Sequence, residues 1–417
     1  MRGAQKLKNL KVVANKEHGK MTIDLAKCAV RDMYRISTGS LAFDRILGGG
    51  WPVGKLSIMR GLESSAKTFA AYSTIGIAQN LCANCYRPVW DLEFEPDDDG
   101  VYAVGHCDCY KKGLFRTTQY PDEKIPEYKA RLKQYEENSY EELRVALIDV
   151  ERDFDPLWAK RIGVDDRRLV YVQADSMEQT IDIYDELVRT AEVDLIVLDS
   201  IAAMIPKEQI EKKASEWTTG LEARLMGRLT KKLTAGLTVV AKEHMRFPTQ
   251  IWINQLREKI NTGMSKGWGD SKVMPAGLSQ LFTAAVIANM WPSEWKKEEV
   301  DPDLPAYMRG ETGVSVNINI HTLKNKTAPP KQKGSFRMIV NGEYSGKIDE
   351  VKYFLAQAEK CGLWKEEVDG KKKTWRVGKE EVFKTKKEAV ARMLEPKNFH
   401  LMRELILAHM LGTKPKI

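Results

Sequence analysis

Eight residues constrain this chain more than any others: Gly61-Leu62-Glu63-Ser64-Ser65-Ala66-Lys67-Thr68. Glycine, four variable residues, then glycine, lysine and a hydroxyl residue make a loop whose backbone N–H groups wrap phosphate oxygens. Its lysine meets the terminal phosphates and its hydroxyl holds Mg²⁺. Gly61, Lys67 and Thr68 occupy their slots, but Ala66 stands where the second glycine belongs. The flanks agree with the motif. Leu56 to Arg60 reads as a short buried strand, and Phe69 to Asn80 as a helix whose N-terminus faces the anion. Gly61, Glu63, Ser64, Ser65, Ala66, Lys67 and Thr68 are therefore the expected phosphate ligands. The plainer alternative is a glycine-started turn before an ordinary helix.

Two later segments suit the same chemistry. Arg144 to Glu151 is a strand ending in acids, and acids at the carboxyl end of a parallel strand lie where ligands bind in such sheets. Val193 to Ser200 is a largely apolar strand ending in Asp199, which would hold the Mg²⁺ water shell opposite Thr68.

Cysteine placement adds a second site. Four of the six cysteines, Cys82, Cys85, Cys107 and Cys109, fall in one short stretch. Two knuckles bracketing a hairpin suit a tetrahedral Cys₄ Zn²⁺ site, with His106 as a substitute ligand. Four reduced thiols in a loop is the alternative. Asp97-Asp98-Asp99-Gly100 reads as the hairpin tip, and Glu123 to Tyr140 as an exposed helix.

Composition narrows the class. A chain of 417 residues can bury a large core and hold two or three domains. The formal charge of +8 permits nucleic-acid binding without requiring it. No apolar run approaches the roughly 18 residues of a membrane span, and no charged-then-apolar leader opens the chain, so a soluble cytoplasmic protein with no membrane partner is expected.

The stretch from Ile36-Ser37-Thr38-Gly39-Ser40 through Gly48-Gly49-Gly50 to Thr68 resembles the start of the ATPase core of the RecA family of DNA strand-exchange proteins. Ile251-Trp252-Ile253-Asn254-Gln255-Leu256-Arg257-Glu258-Lys259-Ile260 is nearly a signature of that family, and His321 to Pro330 closely matches the end of its core. The resemblance implies an ATP-dependent recombinase that forms filaments on single-stranded DNA and exchanges strands with a duplex. It implies Glu151 as activator of the attacking water, Asp155 and Trp158 beside adenine, and Gln255 as sensor of the terminal phosphate. Lys324 and Lys326 would reach a neighbour's ATP, and Phe282 would carry the signal between subunits. Two segments resemble the family's DNA loops, from Lys212 into the helix at Gly220, and from Asn261 to Gly277. Arg224, Lys231, Arg257 and Lys259 would meet DNA phosphates, and Trp268 either contacts bases or packs.

The expected fold is α/β: a RecA-type core (36–335) with helices on both faces of a mainly parallel sheet. A zinc-knuckle insertion (81–142), an N-terminal polymerisation arm (1–35) and a small α+β C-terminal domain (336–417) complete it. Met21 to Ala26 is compatible with a strand in that arm. The basic hairpin at Lys371-Lys372-Lys373 either guides duplex DNA or is a solvated turn. Cofactors would be ATP, Mg²⁺ and Zn²⁺; partners would be DNA, further copies, and loader or single-strand-binding proteins. The altered loop and the insertion resemble phage-encoded members. Competing readings are a RadA/Sms-like or ring-forming motor of the same core, and a DNA-coating filament protein with little turnover.

Overall fold

The computed structural model describes residues 34–83, 86, 88, 90–97, 100–106, 114–116, 142–213, 220–243, 247–258, 272–273, 275–297, 314–342, 344–369, 372–378 and 381–413. A nine-stranded sheet organises them. Its strands, in chain order, are β1 (Leu56–Gly61), β2 (Val145–Asp149), β3 (Leu169–Val172), β4 (Leu195–Asp199), β5 (Thr249–Gln255), β6 (Val286–Lys297), β7 (Val314–Asn325), β8 (Lys333–Ile339) and β9 (Ile348–Asp349). The spatial order is β9-β8-β7-β6-β1-β5-β4-β2-β3. From β6 to β3 every pairing is parallel, while β7, β8 and β9 add an antiparallel edge.

Strands β2 and β4 are apolar up to their final aspartates because both faces of the sheet are covered. Successive side chains point to opposite faces, and the core divides accordingly. Met59, Val145, Leu147, Leu195, Val197, Ile251 and Ile253 join one cluster; Ile58, Ala146, Ile148, Ile196, Leu198 and Trp252 join another. On the first face lie α1 (Leu41–Leu47), α2 (Lys67–Ala78) and α3 (Pro156–Ile162). The second face carries α4 (Met177–Thr190) and α5 (Leu221–Glu243), the latter through Leu221, Leu225, Leu229 and Leu233 at helical spacing. Tyr184 of α4 is fully buried there, and its hydroxyl accepts from the Trp252 indole N–H at 2.9 Å. A side chain at Gly76 of α2 would collide with the Gly163 backbone, so glycine sets how closely α2 and α3 pack.

The remaining elements follow the sheet's far edge. α6 (Val351–Lys360), α7 (Lys386–Leu394) and α8 (Pro396–Leu411) surround a third cluster with a small sheet of Trp364–Asp369, Lys372–Val377 and Glu381–Phe383. Leu41 of α1 belongs to this cluster, and buried Arg403 of α8 pairs with Asp44 of α1. The main sheet runs on through Ile339 and Asp349, past the division expected after residue 335.

Within the insertion, Trp90–Asp97 and Gly100–His106 form the expected antiparallel hairpin, and Leu114–Arg116 adds a third strand. Cys82 is buried at its base, bridged to Glu142. Cys85, Cys107 and Cys109 lie outside the described residues, as do the arm up to residue 33, the helix expected over Glu123 to Tyr140, Lys259 and Trp268.

Candidate nucleotide site

The parallel strands deliver their carboxyl ends to one edge of the sheet. Gln255 pairs with Gly61 across β5 and β1, and Asp149 pairs with Asp199 across β2 and β4. The phosphate loop leaves β1 at this edge and turns directly into α2. Gly61 is required for space, since a Cβ there would collide with the Met290 carbonyl and the Ser65 hydroxyl. Ser64 and Ala66 both adopt left-handed backbone, Ala66 at φ 60° and ψ 28°. The slot that the motif gives to glycine thus keeps the conformation glycine favours, although alanine fills it.

Lys67 is buried and folds back over the loop, donating to the Leu62 carbonyl at 2.7 Å and the Ser65 hydroxyl at 3.1 Å. Burial holds its ammonium below the ordinary lysine range, against the opposing pull of Asp199, Glu151 and Glu63. The Thr68 hydroxyl donates to Asp199 at 2.8 Å. Asp199 is pushed up to about 7 by burial, with Glu151, Asp153 and Asp149 adding repulsion. Asp153 is raised by burial and by its neighbours Asp149 and Glu151. Several acids therefore face one another in a partly dry setting, an arrangement that a cation would relieve.

Glu151 sits in the loop after β2. Its carboxylate accepts from the Gln255 amide at 3.0 Å and from the Ser200 hydroxyl. Asp155 caps α3, accepting from the N–H groups of Leu157 at 2.8 Å and Trp158 at 3.2 Å, while Trp158 packs half-buried against the first core cluster. Beyond Gln255, the Leu256 N–H donates to the Gly61 carbonyl at 2.8 Å. Arg257 then pairs with Val273, closing the base of the second expected DNA loop. Arg224 and Lys231 are exposed on α5, and the Arg257 guanidinium donates to the Ala202 carbonyl at 3.2 Å.

Lys324 and Lys326 are not brought to this edge. Lys324 pairs with Ile287, which pairs with Ile58 near the start of β1, whereas Gly61 at its end pairs with Met290. Three to four strand residues separate the two levels, roughly 10–13 Å. The Lys324 ammonium donates to the carbonyls of Leu281 at 2.5 Å and Phe282 at 3.2 Å, beside the 76 % exposed Phe282. Burial, with Lys326 nearby, holds Lys324 below its ordinary value.

Three site residues escaped sequence reasoning: Asp149, Tyr171 and Ser200. Asp149 accepts from the N–H groups of Arg152 at 2.8 Å and Phe154 at 3.2 Å and from the Tyr171 hydroxyl at 2.8 Å. Asp149 stood in the acid-ended strand and could have been singled out. Ser200 directly follows Asp199 and could have been singled out too, whereas Tyr171 reaches the site through tertiary folding and carries no local signal.

Among the described residues no group of three His, Cys, Asp or Glu side chains is placed to hold a metal. Mg²⁺ does not need one, because it takes one or two carboxylates and completes its shell with water and substrate phosphates. Thr68 and Asp199 fit that requirement.

A glycine-started loop feeding a helix at the carboxyl ends of parallel strands, beside an acid-ended neighbour, defines a phosphate-loop nucleotide-binding fold. Within that class the comparisons are specific. Residues 131–345 match the family model described as RecA N-terminal domain. Protein RecA of Sulfurovum sp. (strain NBC37-1) is 30% identical over 333 residues, covering 79% of this chain and 73% of that protein. Protein RecA of Thermus aquaticus is 28% identical over 362 residues, covering 86% and 83% respectively. The chain belongs to the RecA family.

Proposed function

We propose that the protein is an ATP-dependent homologous recombinase, forming filaments on single-stranded DNA and catalysing pairing and strand exchange with a duplex. The observation that carries this is the position of Gln255. Its side chain holds Glu151, and two residues further on the chain enters the base of the second expected DNA loop. The nucleotide's terminal phosphate and the DNA can thus be read by one strand end.

In this reading Glu151 orients the attacking water and takes its proton, while Lys67 and the loop's N–H groups hold the phosphates. Thr68 and Asp199 would hold Mg²⁺, which when bound draws charge from the phosphate oxygens. Asp155 and Trp158 would flank the adenine. Lys324 and Lys326 would serve a neighbour's ATP, because their own phosphate loop lies at the opposite end of β1. Arg224, Lys231, Arg257 and Lys259 would contact DNA phosphates. Loader or single-strand-binding proteins complete the expected partners, and the altered loop and insertion fit a phage-encoded member acting in its host's cytoplasm. The test is D-loop formation with and without ATP. ATP-dependent product is expected; product that ignores ATP, or none at all, overturns the assignment.

We read Cys82, Cys85, Cys107 and Cys109 as four thiolate ligands of one structural Zn²⁺ per chain, from their spacing in the sequence. Elemental analysis should find about one equivalent in purified protein, and well under one refutes it. We propose a polymerisation arm at 1–35, a core at 36–335 with its insertion at 81–142, and a C-terminal domain at 336–417, with the main sheet running on to Asp349. One feature favours the coating-filament reading, namely Ala66 in a left-handed slot. Wild-type protein that coats DNA but never turns over ATP would select it.

A further inference from the structure

The loop that carries Glu151 is held from beneath. Asp149 is 1 % exposed, and both its carboxylate oxygens are engaged: one by the Arg152 N–H, the other by the Phe154 N–H and the Tyr171 hydroxyl. These two N–H groups follow Glu151 closely in the chain, and Arg152 has φ 61°, a conformation that a bulky side chain rarely adopts without support. Phe154 wedges between Tyr72 and Tyr171, at ring-centroid distances of 5.7 and 5.0 Å. Tyr171 comes from β3, the outermost strand, and the Gln173 amide donates to its hydroxyl at 2.7 Å. A side chain from an adjacent strand thus fixes a carboxylate that in turn fixes the loop.

We propose that Tyr171 is a positioning residue for ATP hydrolysis: its hydroxyl locks Asp149, and Asp149 locks the Val150–Phe154 loop so that Glu151 meets the attacking water. A buried carboxylate that accepts from three donors has little freedom to rotate. Removing the Tyr171 hydroxyl leaves the Phe154 N–H, at 3.2 Å, to restrain that oxygen. A base displaced by an ångström loses much of its effectiveness even when substrate still binds. The inference rests on the role proposed for Glu151.

The test compares Tyr171→Phe, which removes only the hydroxyl, with Tyr171→Ala, which also removes the ring. Two quantities are read: steady-state ATP turnover with DNA, and hydrogen exchange at the Arg152 and Phe154 amides without nucleotide. Tyr171→Phe should lower kcat about tenfold with KM for ATP within about twofold, and speed exchange at both amides about tenfold. Tyr171→Ala should lower kcat similarly while also lowering Tm. If Tyr171→Phe behaves as wild type in both readouts and only Tyr171→Ala is impaired, the ring merely packs and the inference fails. If wild-type protein does not hydrolyse ATP, the assignment of Glu151 falls, and the exchange rates alone decide whether Tyr171 holds the loop.

Discussion

Ala66 shows how a motif tolerates a wrong letter. Its left-handed backbone costs about 1–2 kcal/mol relative to glycine, yet its flanking residues Ser65 and Lys67 remain locked by hydrogen bonds within the loop. Ala66→Gly should therefore tighten ATP binding by no more than about tenfold, measurable by titration with a fluorescent analogue. Lys67→Ala should abolish turnover, because it removes the charge facing the transferring phosphate. DNA-stimulated hydrolysis surviving in that variant would mean the loop is not the site. The loop was legible in the sequence because its chemistry is contiguous. Tyr171, 22 positions beyond the carboxylate it holds, was not, since only the pairing of β3 with β2 brings them together.

At the scale of elements, β5 is the informative strand. Its end touches Glu151 through Gln255 and the phosphate loop through Leu256, and it opens into the pair at Arg257. Gln255→Ala should leave ATP affinity largely intact but remove the gain in DNA affinity that ATP produces, read by fluorescence anisotropy at fixed salt. Unchanged coupling would refute the role assigned to Gln255. Where α1 meets α6, Glu350 accepts from the Ser40 hydroxyl and, at 2.6 Å, from the Leu41 N–H. Burial pushes its carboxyl up to about 7. Between its ordinary value of 4.5 and about 7 the folded state holds a proton that the unfolded chain has lost, so stability falls as pH rises through that window. The contribution is up to about 3 kcal/mol. Glu350→Gln should flatten this part of the pH dependence, as thermal melts at pH values on either side of the window would show; an unchanged slope would count against burial as its source. Strands β2 and β4 were legible as apolar runs ending in acids. The extent of the antiparallel edge beyond β6 was not, because strand pairing leaves no mark in the composition around residue 335.

For the whole molecule, the decisive fact is that Lys324 and Lys326 lie at one end of β1 and Lys67 at the other. In the proposed reading, lysines so placed serve a neighbour's nucleotide and not their own. Mixing should expose this. Protein with Lys67→Ala lacks a working loop but offers both lysines, and protein with Lys324→Ala and Lys326→Ala offers the reverse. Each alone should be inactive with DNA, and an equal mixture should recover part of the turnover. Failure to recover any activity would place the lysines' function elsewhere. The resemblance implied shared sites, and the strand registers are compatible with them, since Lys324 stands at the level of Ile58 while the phosphate loop leaves β1 at Gly61.

An arrangement with the phosphate loop on one side and the lysines on the other is not self-complementary. In the proposed reading copies joined by it meet head to tail, and such contacts run on as a helical filament where the rotation does not close and form a ring where it does. The two extremities of the assembly are then chemically unlike. One would display a nucleotide that no neighbour's lysines reach. The other would display lysines that reach no nucleotide. Such a filament would therefore have a direction before it ever meets DNA.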